Sequence, residues 1–289
     1  MKIGKKILQF LLLLIFIFIA LLLYSKYINT KDLMVKEYKI TNSIIPDNFH
    51  GLKLVQFSDI HYGTSINYND LKKIVQKINT LKPDIVVFTG DLFDKSVTLS
   101  EKDLTNITKA FSSIEATIGK YAITGETDFS KKEFDTILTN SNFMNINDTF
   151  DWIYKDSYTP ILITGLSSNL KNKQDIAAKL KASIDEINTY NNNHETPVYS
   201  ILLMHEPDYV DKIEKNNYQL ILAGHSLGGF LRVPGLQNLL LPEGSKTYYK
   251  DHYTLGNSEF YISNGIGTTS FTYRFFNKPS ISLFRLTNQ

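Results

Sequence analysis

The chain has 289 residues, of which 43% are hydrophobic, and a formal net charge of +2. This length fits one globular domain with a short additional segment, and the apolar content is sufficient for a large buried core. The near-neutral charge gives no basis for binding to nucleic acid through bulk electrostatics, so no nucleic-acid partner is predicted. The chain has no cysteine, which excludes disulfides, thiolate metal sites and a lipoprotein anchor. Any metal ligand must therefore be a histidine, a carboxylate, an amide or water.

The N-terminus predicts a membrane anchor. A short basic tail at residues 1–6 precedes an apolar run at residues 7–24 that Gln9 interrupts. As a helix this run is about 27 Å long, close to the hydrocarbon thickness of a bilayer. The alternative is a cleaved signal peptide, which fits less well because the run is long and no small-x-small cleavage site follows it.

The lysines around this run give a weak bias in orientation, because those before and after it nearly balance. They are Lys2, Lys5 and Lys6 on one side and Lys26, Lys31 and Lys36 on the other. A very short N-terminal tail usually stays inside the cell. We therefore expect a single-pass protein of the cell membrane with an extracytoplasmic domain.

Beyond the anchor, apolar runs alternate with segments of helical periodicity, which predicts an α/β fold. Residues 25–50 are polar and are interpreted as an irregular linker, and residues 51–289 as one domain. Strands are predicted at 52–57, 84–89, 120–124, 150–154, 160–164, 198–204, 218–223, 260–263 and 281–286. Helices are predicted at 68–81, 131–139, 174–190 and 209–214, and after Ser100, with Asp103 as its capping partner. Residues 230–259 have few clear periods and are expected to form a long loop.

Polar clusters recur at the carboxyl ends of the predicted strands. They are Ser58-Asp59-Ile60-His61, Gly90-Asp91-Leu92-Phe93-Asp94, Gly125-Glu126-Thr127-Asp128, His205-Glu206 and Gly224-His225. Ligands of open α/β sheets bind beyond the strand ends, so these clusters are expected to converge. Carboxylates and imidazoles suit Zn, Mn or Fe, and a shared carboxylate can hold two cations about 3.5–4 Å apart. Each cluster alone also has a structural interpretation, since a strand-terminal Asp often caps a helix.

Taken in this order, the clusters resemble the motifs of the calcineurin-like metallophosphoesterase family. Those motifs run D-x-H, G-D-x-x-D, G-N-H-D/E, H and G-H-x-H, and the resemblance covers about residues 50–289. The bacterial membrane-associated branch is the most similar, on the anchor, on GHSLGG beside its G-H-T-H-G-G, and on the tail NGIGTTSFTYRFFNKPSISLFRL. The resemblance implies a four-layer α-β-β-α sandwich and one or two divalent cations, of Mn, Zn, Fe or Mg.

The resemblance also implies a role for each matching residue. The first cation is expected at Asp59, His61 and Asp91, and the second at Asp91, His205, His225 and Glu126. Asp91 and Asp128 are the implied catalytic carboxylates, with Asp94 and Asp128 in positions that support the site.

Three positions depart from the family pattern. Glu126 stands in place of an Asn and can still offer an oxygen to a cation. Thr127 replaces the His that assists the leaving group, and a threonine cannot protonate an alkoxide at neutral pH. Leu227 replaces the last His, a ligand of the first cation, and leucine binds no metal. His252, in the long late segment, is a candidate to replace that ligand.

These residues predict a membrane-anchored, metal-dependent hydrolase of phosphoesters or phosphodiesters with a partly altered dimetal site. Its substrate is expected to be lipid-linked or a nucleotide. The altered residues Thr127 and Leu227 leave open a catalytically impaired pseudoenzyme that binds an envelope component or a partner protein. A different nucleotide-binding domain is disfavoured, because neither G-x-G-x-x-G nor G-x-x-x-x-G-K-[ST] occurs.

Overall fold

The computed structural model of the chain describes residues 2–129, 131–170, 173–229, 232, 240–269 and 271–289. The helices in these residues are α1 (Lys2–Leu23), α2 (Tyr68–Thr80), α3 (Glu101–Ser112), α4 (Glu133–Asn140) and α5 (Ile176–Asn193). The strands are β1 (Met34–Thr41), β2 (Lys53–Phe57), β3 (Ile85–Phe88), β4 (Gly119–Ala122), β5 (Met144–Asn145), β6 (Thr149–Ile153), β7 (Ile161–Leu166), β8 (Tyr199–Met204), β9 (Leu220–Ala223), β10 (His252–Leu255), β11 (Ser258–Ile262) and β12 (Ser280–Thr287). Single helical turns lie at Tyr24–Ile28, Asn29–Lys31, Asp47–Phe49, Pro207–Lys212 and Lys215–Asn217.

The strands form two six-stranded sheets. The first has the order β1-β12-β2-β3-β4-β5, and the second has the order β10-β11-β9-β8-β7-β6. The central strands of each sheet are parallel: β2 with β3 and β4, and β7 with β8 and β9. These strands are nearly continuous apolar runs, as in Ile85–Phe88, because both faces of a parallel sheet are covered.

Three apolar cores separate four layers. The core between the two sheets contains Val87 and Leu222. α2, α3 and α4 cover the outer face of the first sheet through side chains such as Phe111. α5 covers the outer face of the second sheet through side chains such as Leu180. The predicted α/β fold and four-layer α-β-β-α sandwich are thereby confirmed, and the carboxyl ends of the parallel strands define the edge where a site can form.

The interpretation of residues 25–50 as an irregular linker is wrong. They contain β1, which pairs in parallel with β12 from Met34–Ser280 to Thr41–Thr287. The sequence hides this strand because it lies at the sheet edge, where most of its side chains stay exposed or half-buried. β10, inside the predicted loop at 230–259, was missed for the same reason. Residues 230, 231 and 233–239 of that loop lie outside the described residues.

The N-terminal helix is long and apolar enough to cross a membrane. α1 and the two turns after it form one helical segment of 28 residues, Gly4–Lys31. Its large apolar side chains, such as Phe16 and Phe18, do not pack on the rest of the protein and are exposed. In a membrane these side chains would contact lipid.

Candidate metal centre

Four of the candidate ligands, and the altered position Leu227, have backbone in the left-handed region just after the strand ends. The angle φ is +51° at Asp59, +46° at His61, +61° at Asp91, +63° at His225 and +51° at Leu227. Aspartate and histidine tolerate this region better than most residues do, whereas leucine does not. Such strain persists where the surrounding structure enforces it, and it concentrates at ligand sites.

Asp59, His61 and Asp91 form a first group of candidate metal ligands. All three side chains are buried, and one ligand atom from each lies within 4.8 Å of the others. His61 Nε2 is 3.8 Å from Asp91 Oδ2. Both oxygens of Asp59 accept the backbone N–H of His225, at 3.0 and 3.1 Å, which ties the first sheet's loop to the second sheet's loop.

Asp91, His205 and His225 form a second group under the same criterion, so Asp91 belongs to both. His205 Nδ1 lies 2.6 Å from the carbonyl oxygen of Thr89. His225 Nε2 lies 2.6 Å from the carbonyl oxygen of Glu243. A carbonyl can only accept, so each of these nitrogens carries the proton and the opposite ring nitrogen is left to bind a cation.

The donor set fits divalent cations. His205 Nε2 lies 3.4 Å from Asp91 Oδ1 and is buried without a hydrogen-bond partner among the described residues. His61 Nδ1, on the side of the ring that lies 3.9 Å from Asp94 Oδ2, also has no hydrogen-bond partner among the described residues. Buried polar atoms are normally satisfied, so the unpartnered Nε2 of His205 calls for a partner such as a metal ion. Carboxylate oxygens with imidazole nitrogens are a ligand set for Mn, Zn or Fe, and Mg accepts the carboxylates.

The charges of the buried side chains also favour the binding of a cation at this centre. Burial disfavours the charged form of Asp91, but the nearby His205 and His61 outweigh it and lower the pKa of Asp91. Burial also opposes the imidazolium form of His205, yet Asp91 raises the pKa of His205 well above its usual value. Burial dominates at Asp59 and raises its pKa. A buried carboxylate in this state is stabilised when a cation binds beside it.

Asp128 holds the Asp91 turn in place. Its two oxygens accept the backbone N–H groups of Asp91 at 2.8 Å, Leu92 at 2.9 Å and Gly125 at 3.0 Å. Burial, with the charge of Asp91, raises the pKa of Asp128 to about 7. Its oxygens are directed at backbone, and Asp128 is absent from the described lining of the adjacent cavity. These contacts are those of a residue that positions the Asp91 turn, and a catalytic role for Asp128 stays a prediction.

A cavity of about 180 Å³ opens beside both ligand groups. Its described lining includes predicted site residues and residues that sequence reasoning missed. The lining is His61, Asp91, Asp94, Lys95, Glu126, Thr127, His225, Leu227, Pro242 and Thr269. Lys95, Pro242 and Thr269 were missed. Pro242 and Thr269 come from distant loops without a motif, whereas Lys95 directly follows the G-D-x-x-D cluster and offered a signal.

The altered positions have distinct surroundings. Glu126 is half-buried and lines the cavity, but it belongs to neither three-residue ligand group. The backbone N–H of Thr127 donates to Asp91 Oδ1 at 2.8 Å, and its hydroxyl donates to the carbonyl oxygen of Phe93 at 2.7 Å. The one hydroxyl proton of Thr127 is thus committed to backbone.

Leu227 places an apolar side chain at the altered position 227. It is buried at the cavity wall, and a Cβ added to Gly265 would lie 2.5 Å from its Cδ2, so the two residues pack directly. His252 does not replace the ligand missing at 227. It lies on β10, pairs with Glu259 and stacks on Tyr261 with ring centroids 4.4 Å apart.

Comparison with known proteins identifies the family of the chain. The sequence model of the calcineurin-like phosphoesterase family matches residues 52–229, which contain all the candidate ligands. The chain belongs to the calcineurin-like phosphoesterase family. Members of this family use divalent metals and hydrolyse phosphoester bonds, so the predicted enzyme class is confirmed.

Relatives in this family resemble the chain over most of its length. A Bacillus subtilis protein called uncharacterized metallophosphoesterase YkuE is 29% identical, covering 91% of this chain and 88% of that protein. The UDP-2,3-diacylglucosamine pyrophosphatase LpxG of Chlamydia muridarum is 25% identical, covering 82% of this chain and 84% of that protein. A Danio rerio transmembrane protein with metallophosphoesterase domain is 25% identical, and its match covers 68% of this chain and 45% of that protein.

Proposed function

We propose that the chain is a membrane-anchored phosphomonoesterase or phosphodiesterase that works through a dimetal centre with one weakened half. The observation that carries this proposal is the shared carboxylate of Asp91, which lies in both buried ligand groups. Divalent cations held by these groups would supply a hydroxide nucleophile and neutralise charge on the phosphoryl oxygens.

Each residue around the cavity has a part in this proposal. Asp91 joins the two ligand groups, and Asp128 fixes its backbone turn. Lys95 is the one lysine or arginine among the described lining residues, and its ammonium group can bind a phosphoryl oxygen. Glu126 is proposed as an additional oxygen ligand of the second cation, reached by a side-chain rotation within the cavity.

Protonation of the leaving group is the step of the reaction that the site supports least. Thr127 has no proton to give, because its hydroxyl donates to the carbonyl oxygen of Phe93. General-acid catalysis is worth about 10²- to 10⁴-fold, so esters of acidic alcohols should react far faster than alkyl esters. Solvent water is left to protonate a basic leaving group.

A chromogenic diester tests the proposal. The purified full chain with Mn²⁺ should release nitrophenol from bis(p-nitrophenyl) phosphate. Asp91→Asn should remove this activity, by more than about 10²-fold, because both ligand groups lose a carboxylate oxygen.

Glu206→Gln is the matched control. Glu206 is buried next to His205 in sequence, yet its oxygens accept from Ser168 Oγ and from Asn169 N at 3.1 Å, away from the cavity. The activity of the Glu206→Gln variant should stay within about twofold of that of the unmodified chain. Equal rates for the unmodified chain and Asp91→Asn with every divalent metal tried would refute the proposal.

The proposed location is the cell membrane, with the domain on the outer side. The N-terminal helical segment Gly4–Lys31 supports the anchor, and the lysines before its apolar run, Lys2, Lys5 and Lys6, are the support for the orientation. Trypsin added to intact cells should digest the domain. Digestion that begins only after lysis would reverse the orientation.

A further inference from the structure

The anchor joins the domain at the same edge as the metal centre. β12 runs antiparallel to β2, with Ser282 opposite Gln56, and β1 runs parallel to β12, with Lys36 opposite Ser282. The first residues of β1 and β12 therefore lie at the carboxyl end of β2, where Asp59 and His61 stand. The membrane helix precedes β1 directly, so it enters at the site edge of the sandwich.

The end of the helical segment is packed on the domain rather than separated from it by a loose tether. Asn29 Nδ2 donates to the carbonyl oxygen of Arg274 at 2.6 Å, and Arg274 N donates to the carbonyl oxygen of Ser25 at 3.3 Å. Ser25 and Asn29 are each 1% exposed. Buried hydrogen bonds of this kind fix the helix end against residues 271–277.

The same stretch of chain reaches the metal centre. The buried guanidinium of Arg274 donates to the carbonyl oxygens of Asn264 at 2.8 Å and Gly267 at 2.6 Å. Gly267 N in turn donates to the carbonyl oxygen of Asp59 at 2.7 Å, and Thr269 lines the cavity. The contact from anchor to first ligand loop is thus continuous.

An aromatic surface surrounds this junction. We call it the aromatic rim, and it consists of Tyr24, Tyr27, Phe271, Tyr273, Phe275 and Phe276. Phe276 and Tyr27 are each 63% exposed, and Phe276 adopts φ of +56°. Lys26 Nζ lies 5.3 Å from the ring centre of Tyr27 and 5.8 Å from that of Tyr273.

This composition fits the headgroup layer of a bilayer. Aromatic rings concentrate at membrane interfaces, and a lysine there extends its charged end toward water and phosphate. A phenyl ring held out on strained backbone gains nothing in water, but it gains burial in lipid. The rim is continuous with a helix that can cross the membrane, which places it at the level where that helix leaves the bilayer.

We propose that the aromatic rim lies in the headgroup layer of the anchor's own membrane and turns the metal centre toward that surface. The substrate is then a phosphoester carried by a lipid of the same leaflet, which reaches the cavity without leaving the membrane. This substrate class rests on the proposed hydrolase function, whereas the position of the rim does not.

The position of the rim can be measured without activity. The full chain would be placed in phosphatidylcholine vesicles as Phe276→Trp, with Trp152 as the native background. Lipids brominated on the upper acyl chain should quench the new fluorophore. Tyr158→Trp is the matched control, because Tyr158 is 98% exposed and precedes β7, at the edge opposite the carboxyl end of that strand. Quenching at 276 but not at 158 is expected. Equal quenching at both, or none at 276, would overturn the proposal.

The substrate class needs two probes with one leaving group. Hexadecyl p-nitrophenyl phosphate in vesicles reports lipid-borne substrate, and bis(p-nitrophenyl) phosphate reports soluble substrate. Phe276→Ser should lower the first rate about tenfold, as expected when one phenyl ring loses its burial, and leave the second within about twofold. Equal losses on both probes would mean that Phe276 is structural and would refute the substrate class. If the unmodified chain hydrolyses neither probe, the hydrolase function fails, while the quenching result still decides the position of the rim.

Discussion

The ligands from the second sheet and those from the first sheet differ in what holds them. His205 and His225 each have one ring nitrogen fixed by a carbonyl oxygen at 2.6 Å. His61 has a Nδ1 without a hydrogen-bond partner among the described residues, and the nearest carboxylate, Asp94 Oδ2, is 3.9 Å away. The half of the centre with weaker support is also the half to which the family resemblance assigns the position of Leu227.

From this difference we propose that the missing ligand and the weaker support fall in the same half of the centre. Groups that orient a metal-bound histidine typically contribute 10- to 100-fold in affinity or activity. The second group keeps them and the first does not, so the two cations should bind with unequal affinity. The following predictions test that inequality, from the largest expected effect to the smallest.

The largest effect should come from His205→Ala. Its removal should weaken the tighter Mn²⁺ site by more than about 10²-fold, because a ligand and its carbonyl support are lost together. His61→Ala, the matched change in the other half, should leave one tight cation per chain. Isothermal titration of the full chain in detergent measures both, and indistinguishable losses would show that the two halves are equivalent.

Leu227→His should increase Mn²⁺ binding, by less than His205→Ala decreases it. Histidine tolerates the left-handed backbone at 227, as His61 and His225 already do. The new ligand should raise binding at low Mn²⁺ from one cation to two, and activity by about tenfold. Leu227→Met supplies the control, since it keeps the volume without a ligand for Mn²⁺. If both variants bind alike, a missing ligand does not limit the first group.

Asp94→Asn should have a moderate effect on the weaker site alone. The neutral amide would remove the negative charge 3.9 Å from His61 Nδ1 and weaken that site by about tenfold. The tighter site, titrated in the same experiment, serves as the internal reference. A loss that falls on both sites would contradict the assignment of Asp94 to one half.

The smallest effect should come from Thr127→Val. The change removes the hydrogen bond to Phe93 O and keeps the backbone N–H on Asp91, so it should cost about 1 kcal/mol of stability. Thermal unfolding followed by circular dichroism checks this. Hydrolysis of the nitrophenyl diester should stay within about threefold of the unmodified chain. A loss of 10²-fold would instead identify the Thr127 hydroxyl as a proton donor.

The sequence predicts much of the fold because the central strands are buried on both faces. Runs such as Ile85–Phe88 are recognisable at once, and the pair Ser100 and Asp103 marks the start of α3 with the capping box that the structure shows. β1 was not predicted because its formation depends on pairing with β12, far along the chain, and not on its own apolar content. Local patterns cannot report a partner at that distance.

The residues of the candidate site likewise divide into those that local sequence identifies and those that only tertiary packing brings to the site. Asp59, Asp91 and His205 follow buried strands, so position and residue type together identify them. Pro242 and Thr269 cannot be found that way, because tertiary packing alone brings their loops to the cavity. The hydroxyl bond of Thr127 is likewise invisible in sequence, since Phe93 belongs to another strand's loop.

The pairing of β1 with β12 also sets an order of events during synthesis. β1 leaves the ribosome just after the membrane helix, yet its only neighbour in the sheet is the last strand of the described chain. The first strand therefore has an unpaired edge until residues 280–287 have been synthesised. An unpaired strand edge is open to non-native pairing, so chaperones that bind exposed strands are expected to act on this segment during synthesis.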